Sequence, residues 1–216
     1  MNGAEVASTN YVSRFGGPSE RYETAEAVRS WHTSGPFTGK IVHLMTDIDL
    51  GNEEWEPIGY TRNSVPLTIS GTAKDITKCY FCGKFDGGIY DSNNELAGTH
   101  KVSNLKVTYS GTPVNTKSAN AHFCGLFGWW NPMNSSDYFF KNLTIENVNI
   151  QGYNYCGAFF GGAVTTGDYT VDNLHLTGTI NINGRFSFVG GIAGDVRGNM
   201  SNCTVDADGT GTIHGY

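Results

Sequence analysis

Two short motifs alternate along this chain at a common spacing of about thirty residues, and a chain that restates itself this way folds as a stack of like units. The first motif centres on glycine: Phe81-Cys82-Gly83-Lys84-Phe85-Asp86-Gly87, Phe123-Cys124-Gly125-Leu126-Phe127-Gly128, Tyr155-Cys156-Gly157-Ala158-Phe159-Phe160-Gly161 and Phe188-Val189-Gly190-Gly191-Ile192-Ala193-Gly194. Gly125, Gly157 and Gly190 follow one another at nearly equal steps; the step from Gly83 to Gly125 is longer, which leaves room for an insertion. The second motif reads Asn104-Leu105-Lys106-Val107, Asn142-Leu143-Thr144-Ile145, Asn173-Leu174-His175-Leu176 and Asn202-Cys203-Thr204-Val205.

Each motif has a physical reading. In the asparagine motif the apolar residues lie two apart, so one strand face is buried and the other solvated, with Lys106, Thr144, His175 and Thr204 in the outward slot. In the glycine motif the apolar spacing lengthens to three, as between Cys124 and Phe127, and glycine sits at the break, as at a bulge or corner. Two or three short strands per unit, joined at glycine corners, describe a coil of a parallel β-helix whose apolar residues pack against the coils above and below. The asparagines then either stack and hydrogen-bond from coil to coil or simply serve the turns they open.

Composition agrees with an all-β chain: 29 glycines in 216 residues, 12% aromatic and only 16% charged. Net charge is −6 with no lysine or arginine cluster, which excludes the basic face that nucleic acid or an anionic membrane surface requires. No apolar run approaches the length of a membrane-spanning helix, ~18 residues, so membrane insertion is not expected. Residues 1–10 carry no signal peptide. The last residues, Ile213-His214-Gly215-Tyr216, fall where another glycine unit would begin, so the expectation is a segment truncated from a longer protein. Residues 1–37 form a polar tail and, over residues 23–31, a short N-terminal capping helix with Thr24 at its start and Ala25, Val28 and Trp31 on one face; the repeats fill residues 38–216.

Candidate chemistry is sparse. Cys79-x-x-Cys82 is half of a zinc site or a disulfide. Cys124 and Cys156, however, align with Val189, and Cys203 aligns with Leu105, Leu143 and Leu174. The favoured reading is therefore buried thiols acting as small apolar side chains, and no metal or cofactor is assigned. Asp47 and Asp49 lie on one side of a strand, yet no acid recurs with a basic partner at one column, so a polysaccharide-cleaving site is not favoured. Asp91-Ser92-Asn93-Asn94-Glu95, inside an insertion over residues 88–101, offers oxygen ligands for a cation or is a plain polar loop. Adjacent Trp129 and Trp130 cannot both face the core of a regular strand. With Tyr138 and Tyr153 they make the candidate ligand-binding set, against the alternative that they pack beneath the 129–139 loop.

The ordered series Thr46-Asp47-Ile48-Asp49-Leu50-Gly51, Trp55-Glu56-Pro57-Ile58-Gly59, Phe81-x-Gly83-x-Phe85-Asp86-Gly87, Asn104-Leu105 and Gly125-Leu126-Phe127-Gly128 resembles the bacterial GLUG-motif proteins, over roughly residues 38–216. These are similar to β-helical regions of large surface adhesins and to the non-catalytic part of some immunoglobulin A peptidases. The resemblance implies a right-handed parallel β-helix, cell-surface or secreted, that binds a host glycan or protein or acts as a spacer; separately, a stack cut mid-repeat exposes strand edges through which copies could self-associate. An accessory region of a secreted peptidase and a carbohydrate-active β-helix enzyme are the alternatives.

Overall fold

A computed structural model of the protein describes residues 39–55, 57–58, 81–108, 123–132, 135–163, 167–185 and 188–215. The expected capping helix over residues 23–31, the rest of the 1–37 region and Cys79 lie outside the described residues.

Apolar residues two apart commit a segment to a strand with one buried face, and this chain places such segments directly over one another. The described residues are all-β and dominated by parallel pairing. Three long strands carry the pattern: β5 (Leu96–Thr108), β8 (Phe139–Gly152) and β11 (Thr170–Gly184). β5 pairs with β8 and β8 with β11, all parallel; β11 pairs in turn with β13 (Asn199–Ser201) and β14 (Thr204–Gly215). On the N-terminal side β1 (Ile41–His43) lies beside β3 (Lys84–Asp86), which pairs with β8, and β2 (Ile48–Asp49) lies beside β5. Two smaller parallel sheets accompany this one: β7 (Phe127–Trp130) with β10 (Phe160–Ala163) and β12 (Ala193–Asp195), and β6 (Phe123–Cys124) with β9 (Tyr155–Cys156).

Register turns the pattern into columns. Val42, Phe85, Phe140, Val171 and Met200 stack in one column; Ile48, Val102, Ile145, Leu176 and Val205 in another; Val107, Ile150, Ile182 and Ile213 in a third. Phe85 lies on Phe140 ring over ring at 4.7 Å. The middle members of each column are fully buried, each contributing roughly 1.5–3 kcal/mol. Met200, Val205 and Ile213, on the last described coil, are nearly half exposed.

The long strands carry residues in the left-handed backbone region, which asparagine tolerates better than other non-glycine residues. Asn142, Asn173 and Asn202 (φ 58°, 53° and 50°) form one corner column; Asn52, Asn104 and Asn147 (φ 58°, 58° and 59°), continued by Gly178 (φ 77°), form another. The amides also bond from coil to coil. Asn173 Nδ2 donates to Asn142 Oδ1 (2.9 Å) and Asn142 Nδ2 to Asp86 Oδ1 (2.9 Å). In the second column the Thr179 N–H donates to Asn147 Oδ1, Asn147 Nδ2 to Asn104 Oδ1, and Asn104 Nδ2 to Asp49 Oδ1. Both ladders run their donors toward the N-terminal coil and end on a carboxylate, so turn-making and stacking hold together. Asn202 departs: the Asn173 oxygen is already taken by His175 Nε2 at 2.7 Å, and Asn202 Nδ2 donates to Asp172 instead.

The glycine repeat has a different cause from the one expected. Gly125 and Gly157 do not have positive φ. A Cβ on Gly125 would run into the Gly157 carbonyl oxygen, and one on Gly157 into the Ala193 backbone. Glycine is therefore required by close approach of neighbouring coils.

From residue 142 the asparagine motifs lie in register as the sequence places them, and Phe123-Cys124 lies on Tyr155-Cys156, but one extra residue then puts Phe127 on Phe160 rather than on Phe159, and the units before these need larger correction. Phe81 pairs with Trp130 and Phe85 with Phe140, so the 81–87 unit stacks on the next face, not on 123–128; it is Ile58 that pairs with Phe127. Likewise Leu105 pairs with Val148 rather than Leu143, and the outward column is Lys101, Thr144, His175 and Thr204. Three stretches of extra sequence displaced the spacing. Residues 59–80 lie between register positions that the next coil spans with Gly128 and Trp129 alone. Residues 109–122 stand where the next coil has only residues 152–154. Residues 88–99 fall between the partners of Asn142 and Leu143; there β4 (Gly88–Tyr90) turns back antiparallel onto the start of β5 as a hairpin. Because Asn147-Val148-Asn149-Ile150 repeats the asparagine pattern within one coil, a gap-free reading had two places to land.

Candidate functional site

The four aromatic residues singled out in the sequence do not form one site. Alternation along β7 sends the two tryptophans to opposite faces, as strand geometry requires. Trp130 points inward and is fully buried, ringed by Phe140, Phe160 and Tyr169, with its Nε1 donating to the Gly83 carbonyl at 2.9 Å; it is a core residue with no face open to a ligand. Tyr138 is buried; its hydroxyl accepts the Gly39 N–H at 2.9 Å and the Lys84 ammonium sits over its ring at 5.4 Å. Tyr153 is buried as well. Trp129 faces outward, half-buried, and belongs to a larger aromatic group.

That group runs along the outside of the stack. Phe123, Tyr155 and Phe188 occupy equivalent positions on three successive coils. Phe123 and Tyr155 stack at 4.6 Å, and Tyr155 and Phe188 stack at 4.6 Å with planes 4° apart. Trp129 packs edge-on against Phe123 and Tyr155. Exposure rises along the strip: Phe123 is 2% exposed, Tyr155 half-buried and Phe188 50% exposed.

Polar groups flank the strip. Asp195 is the register partner of Gly162, which in turn pairs with Trp129, so Trp129 and Asp195 share an outward column across a residue without a side chain. Arg197 grips Asp195, its Nη2 3.1 Å and its Nε 3.2 Å from Oδ2. Burial raises the Tyr155 phenol above its ordinary value, the Asp195 charge adds to the rise and Arg197 offsets part of it; the hydroxyl therefore stays protonated. The stacked rings cover one another's faces, so the strip offers ring edges and half-exposed Phe188 at its end, beside a carboxylate, a guanidinium and a phenol that can exchange hydrogen bonds with hydroxyls. Phe123, Phe188, Asp195 and Arg197 were not marked by sequence, since register alone brings them together; the signal was the aromatic at the head of each glycine unit.

The other candidates resolve into structural roles. His175 Nε2 donates to Asn173 Oδ1 and its Nδ1 lies 2.8 Å from Thr204 Oγ1, so both ring nitrogens are engaged. The Lys101 N–H, donated to Asp47, holds that carboxyl below its usual range, and Asn104 does the same for Asp49, whereas a general acid needs the opposite shift. Asp91 Oδ1 accepts the N–H groups of Asn93 and Glu95 and closes the hairpin tip. No group of three or more metal-ligating side chains occurs among the described residues. Cys82, Cys124 and Cys156 are buried thiols and Cys203 is partly buried; burial pushes the Cys82 thiol up to about 12.

A second polar cluster anchors the hairpin. Asp86, 4% exposed, accepts hydrogen bonds from Tyr90 Oη (2.7 Å), Asn142 Nδ2 and the Gly88 N–H, with the Lys141 ammonium 3.5 Å away. Burial works to raise the Asp86 pKa, but these donors outweigh it and the net shift is downward. Burial and the Asp86 charge push the Tyr90 phenol up to about 12.

No family model matches the chain, and no solved structure matches it. Among curated proteins it is similar to halomucin of Haloquadratum walsbyi, 33% identical over 133 residues; the match covers 59% of this chain but spans only 1% of that relative's length.

Proposed function

We propose that the chain is a non-catalytic segment of a right-handed parallel β-helix of the GLUG-repeat type, displayed on a cell surface or secreted, which contacts a glycan through its outer aromatic strip. Support for the solenoid comes from the parallel columns, such as Phe140 over Val171, at steps of about thirty residues. Parallel crossovers are right-handed in nearly all proteins, which agrees with the handedness that the resemblance implies. The likeness to a stretch amounting to 1% of halomucin favours a role as one part of a long chain.

The observation that carries the binding role is the Trp129–Tyr155–Phe188 strip beside Asp195 and Arg197. An exposed ring, Phe188, at the end of a half-buried aromatic strip, with a donor and an acceptor close by, suits a sugar's apolar face and its hydroxyls. The test is a glycan array comparing the wild type with Phe188→Ala and with Arg197→Ala. Binding by the wild type, lost in Phe188→Ala and weakened in Arg197→Ala, is expected; equal binding by all three would remove this site. Release of sugar from a polysaccharide panel by the wild type would contradict the non-catalytic reading.

A further inference from the structure

We propose that Cys124 and Cys156 are a disulfide-forming pair that staples two successive coils of the stack. The two residues are direct register partners on β6 and β9. Neighbouring parallel strands lie ~4.8 Å apart, within the ~4.4–6.8 Å that Cα atoms of a disulfide span. Their side chains point the same way and touch: the two thiols are hydrogen-bonded to each other.

The room for both sulfurs is made by a third coil position. Gly152, Gly184 and Gly215 form a column on the facing strands, opposite Cys124, Cys156 and Val189. A Cβ at Gly152 would overlap Cys156 Sγ and lie 2.8 Å from Cys124 Sγ, so both sulfurs converge on the space that this glycine leaves. The next coil uses the equivalent space for Val189, whose methyl group a Cβ at Gly184 would overlap. Valine therefore fills this column without a thiol, and a cysteine pair is not needed for packing alone.

The chemistry is thiol–disulfide exchange with an oxidised dithiol or oxidised glutathione. One cysteine gives up its S–H proton and its thiolate attacks the oxidant, releasing one thiol and forming a mixed disulfide. The second thiolate then attacks the protein sulfur of that mixed disulfide and displaces the second thiol. Two S–H bonds and the oxidant's S–S bond are broken; one protein S–S bond forms and the oxidant leaves as two thiols. Cys124 and Cys156 are both buried, so exchange proceeds when the short β6–β9 ladder opens. Phe123 and Tyr155 precede the two cysteines directly, so the staple would fix two coils of the aromatic strip; the proposal does not depend on that strip binding anything.

The purified chain is incubated with oxidised glutathione at pH 8, denatured, alkylated, weighed and digested. The expected result is a monomer lighter by two hydrogens at this pair, a single cystine linking the Cys124 and Cys156 peptides, and both sites protected from alkylation. The thermal midpoint of the oxidised chain should exceed that of the reduced chain by on the order of 10 °C, and Cys156→Val, which keeps the packing seen at Val189, should abolish that difference. Full alkylation of Cys124 and Cys156 after refolding from denaturant in the same oxidant would overturn the proposal. So would a cystine joining either residue to another cysteine, or one bridging two chains.

Discussion

Asn142 is the residue on which the corner architecture converges, and replacing it separates two contributions. Its backbone is left-handed (φ 58°), its Nδ2 donates to the buried Asp86 carboxylate, and its Oδ1 receives Asn173 Nδ2. Alanine in the left-handed region costs about 1 kcal/mol more than asparagine. Loss of a hydrogen bond to a charged group costs about 1.5–3 kcal/mol and loss of the neutral one about 0.5–1.5 kcal/mol. Asn142→Ala should therefore destabilise by roughly 3–5 kcal/mol, and Asn142→Gly, which keeps the backbone conformation, by about 1 kcal/mol less. Asn94 is the control, with φ 63° at the exposed hairpin tip. Asn94→Ala should cost about 1 kcal/mol and Asn94→Gly almost nothing. Urea unfolding, followed by the fluorescence of buried Trp55 and Trp130, measures all four. Equal losses for Asn142→Ala and Asn142→Gly would refute the backbone contribution. A loss below about 1.5 kcal/mol in both would refute the ladder.

Three further outcomes are expected. Asp86 has a lowered pKa, so its stabilisation is present above the unfolded value of about 3.9 and is lost as pH falls through the lower folded value. Tyr90, raised to about 12, stabilises below the unfolded value of about 10 and its contribution is lost as pH rises through the folded one. Hydrogen exchange should show the 88–99 hairpin opening at both extremes, and ultraviolet titration should find several late tyrosines, one fewer in Tyr90→Phe. Gly152→Ala should destabilise by about 1–3 kcal/mol through overlap with Cys156 Sγ, and Cys156→Ala in the same chain should recover part of it; additive losses in a double-mutant cycle would contradict the contact. Joining Gly87 directly to His100 should leave a folded chain, because the next coil passes from Asn142 to Leu143 at the same position without an insertion; loss of the cooperative unfolding transition would show that the hairpin is integral.

The all-β class with parallel pairing was legible because burial alternates with period two and the columns of Ile145, Leu176 and Val205 repeat at near-constant spacing. What escaped was register in the N-terminal coils. A gap-free comparison cannot allow for the extra length over residues 59–80 and 88–99, and Asn104-Leu105 resembles Asn142-Leu143 more closely than it does its true neighbour Asn147-Val148. The binding candidates do not come together for a related reason. Trp129-Trp130 announced that one ring points out, but which one follows from inward packing of Phe127 and Trp130, on the strand that follows the glycine corner. The polar partners of the strip, Asp195 and Arg197, lie on another coil, and nothing in their local sequence marks them.

The in-register parallel stack is the claim on which the rest depends, and methyl nuclear Overhauser contacts test it directly. Leu105 should contact Val148, and Ile145 should contact both Val102 and Leu176, whose register partner Val205 continues the column. Contacts of Leu105 with Leu143 instead, or antiparallel pairing between β8 and β11, would contradict it.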